Sequence, residues 1–421
     1  MMNHVIAGVQ LPNGTRTDLY VHDGVLADEA PPGAERIDAE GLIALPGLVD
    51  PHTHLREPGR EDAETVESGA AAAAQGGFTA VCAMANTQPV TDTAEKAEHI
   101  LDLGVTAGLT QVVPIGAITQ NLEGKALAEL GLMNRSRAKV TMFSDDGVCL
   151  MDAQLMRRAL EWVKPFGGVI AQHAQDSNLA GPGACCHESE IAGRLGLGPW
   201  PPVAESAIIA RDVQLAEATG SRVHVCHIST AEGVEVVRWA KARGIDVTAE
   251  VTPHHLLLGT ELVEGYDTVY KVNPPLRTSE HIEAVREALA DGTIDVVGTD
   301  HAPHAPQDKD HAFADARPGM LGLEQALAVV METSLERLGW EGVADRMSHA
   351  PAKLASLTAQ QGRPLTVGEP ANLVLVDPTA RATVNRTDSS SLSRNNPYHG
   401  IDLPDPVRLT MWRGKVTYAK D

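Results

Sequence analysis

Residues 42–56 read LIALPGLVDPHTHLR, an apolar run that ends in two histidines and an arginine. The apolar part, LIALPGLVD at 42–50, is typical of a buried β-strand. His52 and His54 are two residues apart, so on an extended backbone both imidazoles point to the same face. Two imidazoles on one face can hold one metal ion. The stretch therefore predicts a buried strand with a candidate metal site at its carboxyl end.

Similar apolar runs recur along the chain and alternate with stretches rich in Ala, Leu and Glu. The further predicted strands are FTAVCAMA (78–85), TQVVPIGA (110–117), KVTMFS (139–144), GVIAQH (168–173), RVHVCH (222–227), DVTAEV (246–251) and IDVVGTD (294–300). The predicted helices include 64–75, 93–103, 152–163, 204–219 and 230–243. Eight β/α alternations predict an α/β fold, a (β/α)8 TIM-type barrel. An open doubly wound sheet is the alternative, but no G-x-G-x-x-G follows the first strand, which argues against a dinucleotide-binding fold.

Both chain ends show the alternation of apolar and polar residues that half-buried strands have. VIAGVQL and DLYVHDGVL lie near the start, and ANLVLVDP and VRLTMWRGKVTYA lie near the end. Because the two regions share this character, we expect them to form one small domain, a β-sandwich, from residues 1–45 and 365–421 together. The barrel is then expected to occupy residues 46–364.

The composition narrows the class of partner. The chain has 421 residues, with 56 Asp and Glu against 34 Lys and Arg, and a formal net charge of −22. This charge argues against nucleic acid or an anionic membrane as a partner, because phosphate binding needs a basic field. The five cysteines form no C-x-x-C pair, the start has no signal-peptide pattern, and no apolar stretch reaches 18 residues. We therefore expect a soluble protein of the reducing cytoplasm.

Ligand-type residues also stand at the ends of other predicted strands, namely Asp145 and Asp146 after strand four, His173 after strand five, His227 after strand six and Asp300 after strand eight. Any one of them alone is typical of an ordinary hydrogen-bonded surface residue. Packing does not explain the whole set, since Val, Ile and Leu fill barrels better. Active sites of such barrels lie at the carboxyl ends of the strands. The set therefore predicts a hydrolytic metal centre, with Zn(II) favoured and Mn, Co or Fe as alternatives.

Several motifs carry a resemblance to a known family: DPHTHLREPG at 50–59, MANTQP at 84–89, FSDDG at 143–147, HVCHIST at 224–230, TPHHL at 252–256, NPPLR at 273–277 and TDHAPH at 299–304. Over nearly its whole length the chain resembles the amidohydrolase superfamily and, within it, the class I dihydroorotases. The resemblance implies the reversible cyclisation of N-carbamoyl-L-aspartate to L-dihydroorotate, a step of pyrimidine synthesis. It also implies one or two Zn²⁺ ions per chain and a metal-bridging hydroxide as the nucleophile.

The resemblance assigns the metal ligands one by one. It implies that the more buried ion is bound by His52 and His54, and the more exposed ion by His173 and His227. Many relatives bridge the two ions with a carbamylated lysine, but no Lys follows strand four in this sequence. Asp146 fits the bridging role, as in class I dihydroorotases that use Asp. Asp145 is the weaker candidate, because neighbouring residues on a strand point to opposite faces.

Further residues are expected to transfer the proton and to bind the substrate. The resemblance implies that Asp300 is both a metal ligand and the catalytic proton shuttle, first a general base and then a general acid. Arg56 shares the face of His54, and a guanidinium gives a bidentate match to a carboxylate. The family pattern adds Asn86 and His304 to the same carboxylate, and assigns the ring amides to Asn273 and the backbone near Pro318 and Gly319.

The sequence departs from the family pattern next to one proposed ligand. AQHAQD at 171–176 stands where many relatives read AHCED, so that Ala174 and Gln175 replace Cys and Glu beside His173. No proposed ligand is lost. The long stretch 301–322 is expected to form one wall of the pocket, because loops of this length in a compact domain are usually functional or disordered. Within it we expect Asp308, Asp310 and His311 to be solvated.

Two other functions and the state of assembly stay open. One rival is a different cyclic amidase, a hydantoinase or an allantoinase. The other is a non-catalytic dihydroorotase-like subunit that supports aspartate transcarbamoylase. We expect a small-molecule substrate and a homodimer, and association of an active enzyme with aspartate transcarbamoylase also stays open.

Overall fold

The computed structural model describes residues 3–420. Its strands are β1 (His4–Gln10), β2 (Arg16–His22), β3 (Val25–Ala27), β4 (Glu35–Asp38), β5 (Ile43–Pro46), β6 (Leu48–Thr53), β7 (Phe78–Ala83), β8 (Gln111–Pro114), β9 (Met142–Phe143), β10 (Val169–Gln172), β11 (Ala184–His187), β12 (Gly198–Trp200), β13 (Arg222–Val225), β14 (Val247–Val251), β15 (Val296–Val297), β16 (Leu373–Val376), β17 (Arg381–Thr383), β18 (Asp402–Pro404), β19 (Val407–Trp412) and β20 (Lys415–Ala419).

The α-helices are α1 (Val66–Gln75), α2 (Ala94–Ala107), α3 (Leu130–Arg135), α4 (Ala153–Val163), α5 (Ser177–Ala180), α6 (Glu190–Leu195), α7 (Val203–Thr219), α8 (Ala231–Ala242), α9 (Pro253–Leu257), α10 (Ser279–Asp291), α11 (Pro306–Lys309), α12 (Ala326–Ala344) and α13 (Ala350–Leu354). Among the described residues, no helix is both long and apolar enough to cross a membrane.

The strands near the two chain ends form one mixed sheet in the order β20-β19-β16-β5-β1-β2-β3, with β4 beside β1. β16 runs antiparallel to β5 and pairs Leu373 with Pro46, so the late strands extend the sheet that the first strands begin. Ile6, Val21 and Met411 are fully buried on the apolar side of this sheet. The predicted sandwich is not confirmed, since these strands hydrogen-bond into a single sheet.

Eight parallel strands lie between these end regions, in sheets of three (β6-β7-β8) and five (β9-β10-β13-β14-β15). Each corresponds to one of the eight predicted strands. The two sheets meet through single parallel bridges, Gly116 with Phe143 at one side and Thr53 with His301 at the other. Hydrogen-bond ladders therefore hold the strands within each sheet, whereas only isolated bridges join one sheet to the other.

The first predicted strand is divided in two. We expected one strand over 42–50, but β5 belongs to the mixed sheet and β6 starts the parallel strands. The break falls at Gly47, where a Cβ atom would overlap the side chain of Thr79. Because β6 runs on to Thr53, His52 lies within the strand and His54 directly after it.

The helices pack their apolar faces against the parallel strands. On α7 the predicted buried face is confirmed, since Ile209, Val213 and Ala216 are all at most 1% exposed. The observed bounds of α1, α2, α4, α7 and α8 lie close to the predicted ones. The helices thus cover the strands from outside and leave their carboxyl ends to the connecting loops.

Candidate metal centre and substrate pocket

The candidate ligands meet in two groups that share Asp146. One group is His52, His54, Asp146 and Asp300, and the other is Asp146, His173 and His227. Oδ2 of Asp146 lies 3.4 Å from Nε2 of His52 and 3.2 Å from Nε2 of His54. Its Oδ1 lies 3.2 Å from Nε2 of His227 and 3.5 Å from Nδ1 of His173. One carboxylate therefore faces both groups, with one oxygen toward each.

The neighbouring Asp145 is turned away from this cluster. Its Oδ1 accepts hydrogen bonds from the backbone N–H groups of Ile118, at 2.8 Å, and Thr119, at 3.0 Å. Asp145 thus anchors the segment that follows β8. Of the two carboxylates, only that of Asp146 faces the cluster. The two adjacent carboxylates thus face different partners, although β9 ends at Phe143 and neither residue lies on a strand.

Glu250, in β14, forms hydrogen bonds to histidines of the cluster, and the sequence analysis did not predict it. Its buried carboxylate accepts a hydrogen bond from Nδ1–H of His52 and another, at 3.1 Å, from the backbone N–H of His227. Burial would raise the pKa of Glu250, but the charge of His52 and the hydrogen bond from His224 lower it below its ordinary value. A Glu inside the apolar run DVTAEV was a signal that could have been noticed, since nothing in packing requires a charge there.

Two further side chains fix imidazoles of the cluster in the same way. Nδ1–H of His54 donates to Oδ1 of Asn86 at 2.8 Å, and Nε2–H of His173 donates to Oε1 of Gln175 at 2.9 Å. Such outer hydrogen bonds select the tautomer and orient the ring of a ligating histidine. Asn86, which was expected to face the substrate carboxylate, therefore uses its oxygen for His54.

The residues present fit a divalent metal ion. The donors are imidazole nitrogens and carboxylate oxygens, within 4.8 Å of one another in each group. Nε2 of His52 is buried and has no hydrogen-bond partner among residues 3–420, as expected of a nitrogen that faces an ion. Cys226 also lies near His52, but burial raises the pKa of its thiol, which keeps the sulfur protonated.

The carboxylates of the cluster are ionised. Burial would raise the pKa of Asp300, but the 2.9 Å contact with Nε2 of His54 and the charge of His52 lower it well below its ordinary value. Asp146 is affected in the same direction by His52, His173 and His227. The negative charge of these carboxylates can offset the positive charge of a bound metal ion.

Three residues of the site adopt backbone conformations that non-glycine residues rarely adopt. Their φ angles are 60° at Arg56, 31° at His227 and 44° at Asp300. Such angles cost free energy and persist only where the surroundings impose them. They turn the chain sharply just after β6, β13 and β15, so that the side chains point over the ends of the strands.

A cavity of about 180 Å³ opens beside the cluster, and its lining includes His54, Arg56, Asp146, His173 and Asp300. Nε–H of Arg56 donates to the carbonyl of Pro303 at 2.9 Å, and no carboxylate of the described residues pairs with its guanidinium. Burial lowers the pKa of Arg56 to about 10, so the group remains charged at neutral pH. A charged guanidinium without a carboxylate partner at a cavity wall favours an anionic ligand.

The loop after β15 forms one wall of this cavity, as predicted, through His304, Arg317, Pro318 and Gly319. Nε2–H of His304 donates to the carbonyl of Pro318 at 2.8 Å. Burial and the nearby charge of Arg56 lower the pKa of His304 to about 3, so the ring is neutral. A Cβ at Gly319 would lie 2.7 Å from Nε2 of His304, so glycine permits this close approach.

Asn273 contributes an unsatisfied acceptor to the lining of the cavity. Its Nδ2–H donates to Oε1 of Gln175 at 3.2 Å. Its Oδ1 is buried and has no donor among residues 3–420. Buried carbonyl oxygens are rarely left unpaired, so this atom is placed to accept a hydrogen bond from a ligand N–H.

The prediction that Asp308 is solvated is wrong, whereas Asp310 and His311 are exposed as expected. Asp308 accepts a hydrogen bond from Nη2–H of Arg60 at 2.5 Å, and its other oxygen lies 3.4 Å from Nε of Arg317. Arg317 lines the cavity but was not predicted. The sequence of the loop contained no periodic signal from which these pairings could be read.

Comparisons with known proteins agree with this geometry. A family model described as dihydro-orotase-like matches residues 41–233. The dihydroorotase of Streptomyces coelicolor is 57% identical over 99% of this chain and 98% of the relative. The dihydroorotase of Mycobacterium tuberculosis is 52% identical over 100% of this chain and 99% of the relative. Among solved structures, the L-hydantoinase (dihydropyrimidinase) of Arthrobacter aurescens has a TM-score of 0.87 at 27% identity, covering 100% of this chain and 97% of that one.

The parallel strands, the ligand cluster at their carboxyl ends and the likeness to a solved hydantoinase identify a metal-dependent cyclic amidohydrolase. The relatives that match over the full length narrow this class. At identities of 52% and 57%, they show that the chain belongs to the dihydroorotase family.

Proposed function

We propose that this chain catalyses the reversible cyclisation of N-carbamoyl-L-aspartate to L-dihydroorotate in pyrimidine biosynthesis. The observation that carries the proposal is the unpaired Arg56 guanidinium, which lines the cavity together with Asp146. A guanidinium in this position favours a substrate that brings its own carboxylate. Dihydroorotate has a carboxylate on its amide ring, whereas dihydrouracil and unsubstituted hydantoin have none.

Other polar groups of the cavity lining can bind an amide ring. The free Oδ1 of Asn273 accepts a ring N–H, and the backbone at Pro318 and Gly319 lies along the same cavity. Nδ2 of Asn86 completes the carboxylate end, whereas the neutral His304 donates its one N–H to the carbonyl of Pro318. With Arg56 these groups orient the ring relative to the metal centre, which is the part of catalysis that positioning supplies.

We propose one or two zinc ions per chain. His52, His54 and Asp300 would hold one ion, His173 and His227 would hold the second, and Asp146 would serve both. When bound, zinc polarises the scissile carbonyl and lowers the pKa of a water molecule. The use of Asp146 where many relatives have a carbamylated lysine supports assignment to the class I dihydroorotases.

Asp300 acts as the proton shuttle. In the hydrolytic direction it accepts the proton of the attacking water and passes it to the amide nitrogen as the C–N bond breaks. In the synthetic direction the same proton moves back along the same path. The contact with His54 at 2.9 Å fixes the carboxylate at the cavity wall, which supports this role.

We also propose the larger architecture that goes with this function. The two parallel sheets form one (β/α)8 barrel over residues 46–364, in which the two isolated bridges join one sheet to the other. Residues 1–45 and 365–421 form the smaller domain around the mixed sheet. The enzyme is cytoplasmic and homodimeric, and it uses a small-molecule substrate rather than nucleic acid or a membrane. Co-purification would test separately whether the enzyme associates with aspartate transcarbamoylase.

An activity assay tests the proposed function. Purified protein with bound zinc is incubated with L-dihydroorotate, N-carbamoyl-L-aspartate, hydantoin and allantoin, and products are separated by chromatography. The proposal predicts hydrolysis of dihydroorotate and cyclisation of carbamoyl aspartate. Faster turnover of hydantoin or allantoin would contradict the choice of substrate, and no turnover at all would favour a non-catalytic subunit.

A further inference from the structure

The loop that forms the substrate wall is held by a segment from the far end of the chain. Residues 391–396, which we call the C-terminal brace, lie between β17 and β18 and cross to the cavity end of the parallel strands. The backbone N–H of Leu392 donates to Oε1 of Glu64 at 3.0 Å, and the hydroxyl of Ser393 donates to the carbonyl of Ala63 at 2.7 Å. The brace is therefore anchored to the segment just before α1.

The side chain of Asn395 connects this brace to the substrate loop. It is 5% exposed. Its Oδ1 accepts the backbone N–H of His304 at 3.1 Å. Its Nδ2 donates to the carbonyl of Ala302 at 2.9 Å and to the carbonyl of Gly319 at 3.1 Å. One amide group thus bonds both ends of the loop, and all its hydrogen-bonding groups are used.

The backbone of Asn395 adds a fourth contact, since its carbonyl accepts the N–H of Leu321 at 3.1 Å. The residues held in this way include His304 and Gly319, which line the cavity. Asn395 itself is absent from that lining and so does not contact the substrate. Its effect on the reaction must pass through the loop.

We infer that Asn395 is a positioning residue, which fixes the places of His304 and Gly319 in the wall of the substrate cavity. The inference rests on the proposed function for the identity of the substrate. Removal of the side chain leaves one N–H and two carbonyl groups unpaired in a buried place, and the loop can satisfy them only by moving. Misplacement of binding groups by about 1 Å is enough to cost on the order of 100-fold in rate.

Asn396 offers a matched control. It is the next residue, it is 1% exposed, and its side chain also makes two hydrogen bonds. These bonds go to Gln325, at 2.8 Å, and to the backbone N–H of Tyr398, at 2.9 Å, and not to the substrate loop. Loss of either asparagine should lower the melting temperature, but only Asn395 should affect binding.

The experiment compares Asn395→Ala and Asn396→Ala with the wild-type holoenzyme. Zinc content, melting temperature, kcat and KM for L-dihydroorotate are measured, together with hydrogen–deuterium exchange of peptides covering 302–321. We expect Asn395→Ala to keep its zinc, to raise KM about 10- to 100-fold with a smaller change in kcat, and to exchange faster in those peptides. Asn396→Ala should keep the wild-type KM and exchange.

Two results would overturn the inference: a KM for Asn395→Ala within twofold of the wild type, or an equal rise in KM for Asn396→Ala. If Asn395→Ala does not fold, Asn395→Asp replaces it, since its carboxylate keeps the acceptor for His304 but loses both donors. The same rise in KM is expected. A wild-type enzyme that is inactive on dihydroorotate would contradict the proposed function instead. In that case the hydrogen–deuterium exchange of peptides covering 302–321 would still test the role of Asn395.

Discussion

Oδ1 of Asp146 lies 3.2 Å from Nε2 of His227, while the other oxygen of the same carboxylate faces His52 and His54. This arrangement makes one side chain common to two groups of candidate ligands that come from different strands. A bridging anion lets two cations lie close together, because it screens their mutual repulsion. The dependence of both metal positions on Asp146 is the first consequence that can be measured.

Asp146→Asn should reduce bound zinc at both positions. The amide keeps the shape of the side chain but loses the charge that offsets the cations. Zinc per chain, measured by mass spectrometry after dialysis, should fall to less than half of the wild-type content. Asp152→Asn is the control, because Asp152 caps α4 through the N–H of Leu155 and Asn is an equally good cap. Full zinc content in Asp146→Asn would contradict a shared ligand.

Glu250→Gln should weaken zinc binding without removing a ligand. Glu250 accepts the outer N–H of His52, and loss of such a partner typically costs about 10- to 100-fold in metal affinity. Competition with a chelator measures this affinity. Glu235→Gln, an exposed Glu on α8, is the control. Equal affinities for the two variants would mean that Glu250 plays no part in holding the metal.

Asp212 should make stability depend on pH in the acid range. It is buried, pairs with Arg211 at 2.8 Å and accepts a hydrogen bond from Gln172 at 3.0 Å, and burial raises its pKa to about 6. The folded state then binds its proton more tightly than the unfolded state, so the Asp212 contribution to stability is present below about pH 4 and is lost as the pH rises through about 6.

Urea unfolding of the wild type and Asp212→Asn between pH 4 and 7 measures this contribution. The free energy of unfolding of the wild type should decline relative to that of the variant by about 3 kcal/mol over the range. Metal loss at low pH affects both proteins alike and cancels in the difference. Parallel curves would show that Asp212 titrates at its ordinary pKa in the folded enzyme.

The sequence predicted residues that the structure brings together in the ligand cluster, because their signal is local. His52, His173 and His227 each follow or end an apolar run, and the carboxyl ends of parallel strands converge. These features depend on the period of the strand and on position along it, both of which can be read from residue types.

Other parts of the site depend on contacts between distant segments and could not be read in this way. Asn395 reaches His304 across 91 positions of the sequence, and Glu250 reaches His52 across 198. The pairing of Asp308 with Arg60 likewise depends on the path of a loop without periodicity. The break at Gly47 depends on the fit against Thr79, which only the packed structure shows.

The role of Arg56 in choosing the substrate is tested most directly by two rings that differ only in the carboxylate, L-dihydroorotate and dihydrouracil. The values of kcat/KM for both are measured with the wild type, with Arg56→Met, and with Arg157→Met, which changes an exposed arginine of α4. We predict that the wild type and Arg157→Met favour dihydroorotate by at least about 100-fold, equivalent to about 2.8 kcal/mol. Arg56→Met should lose most of that preference through a higher KM for dihydroorotate. A wild-type enzyme that prefers dihydrouracil, or an Arg56→Met variant with unchanged preference, would contradict the account.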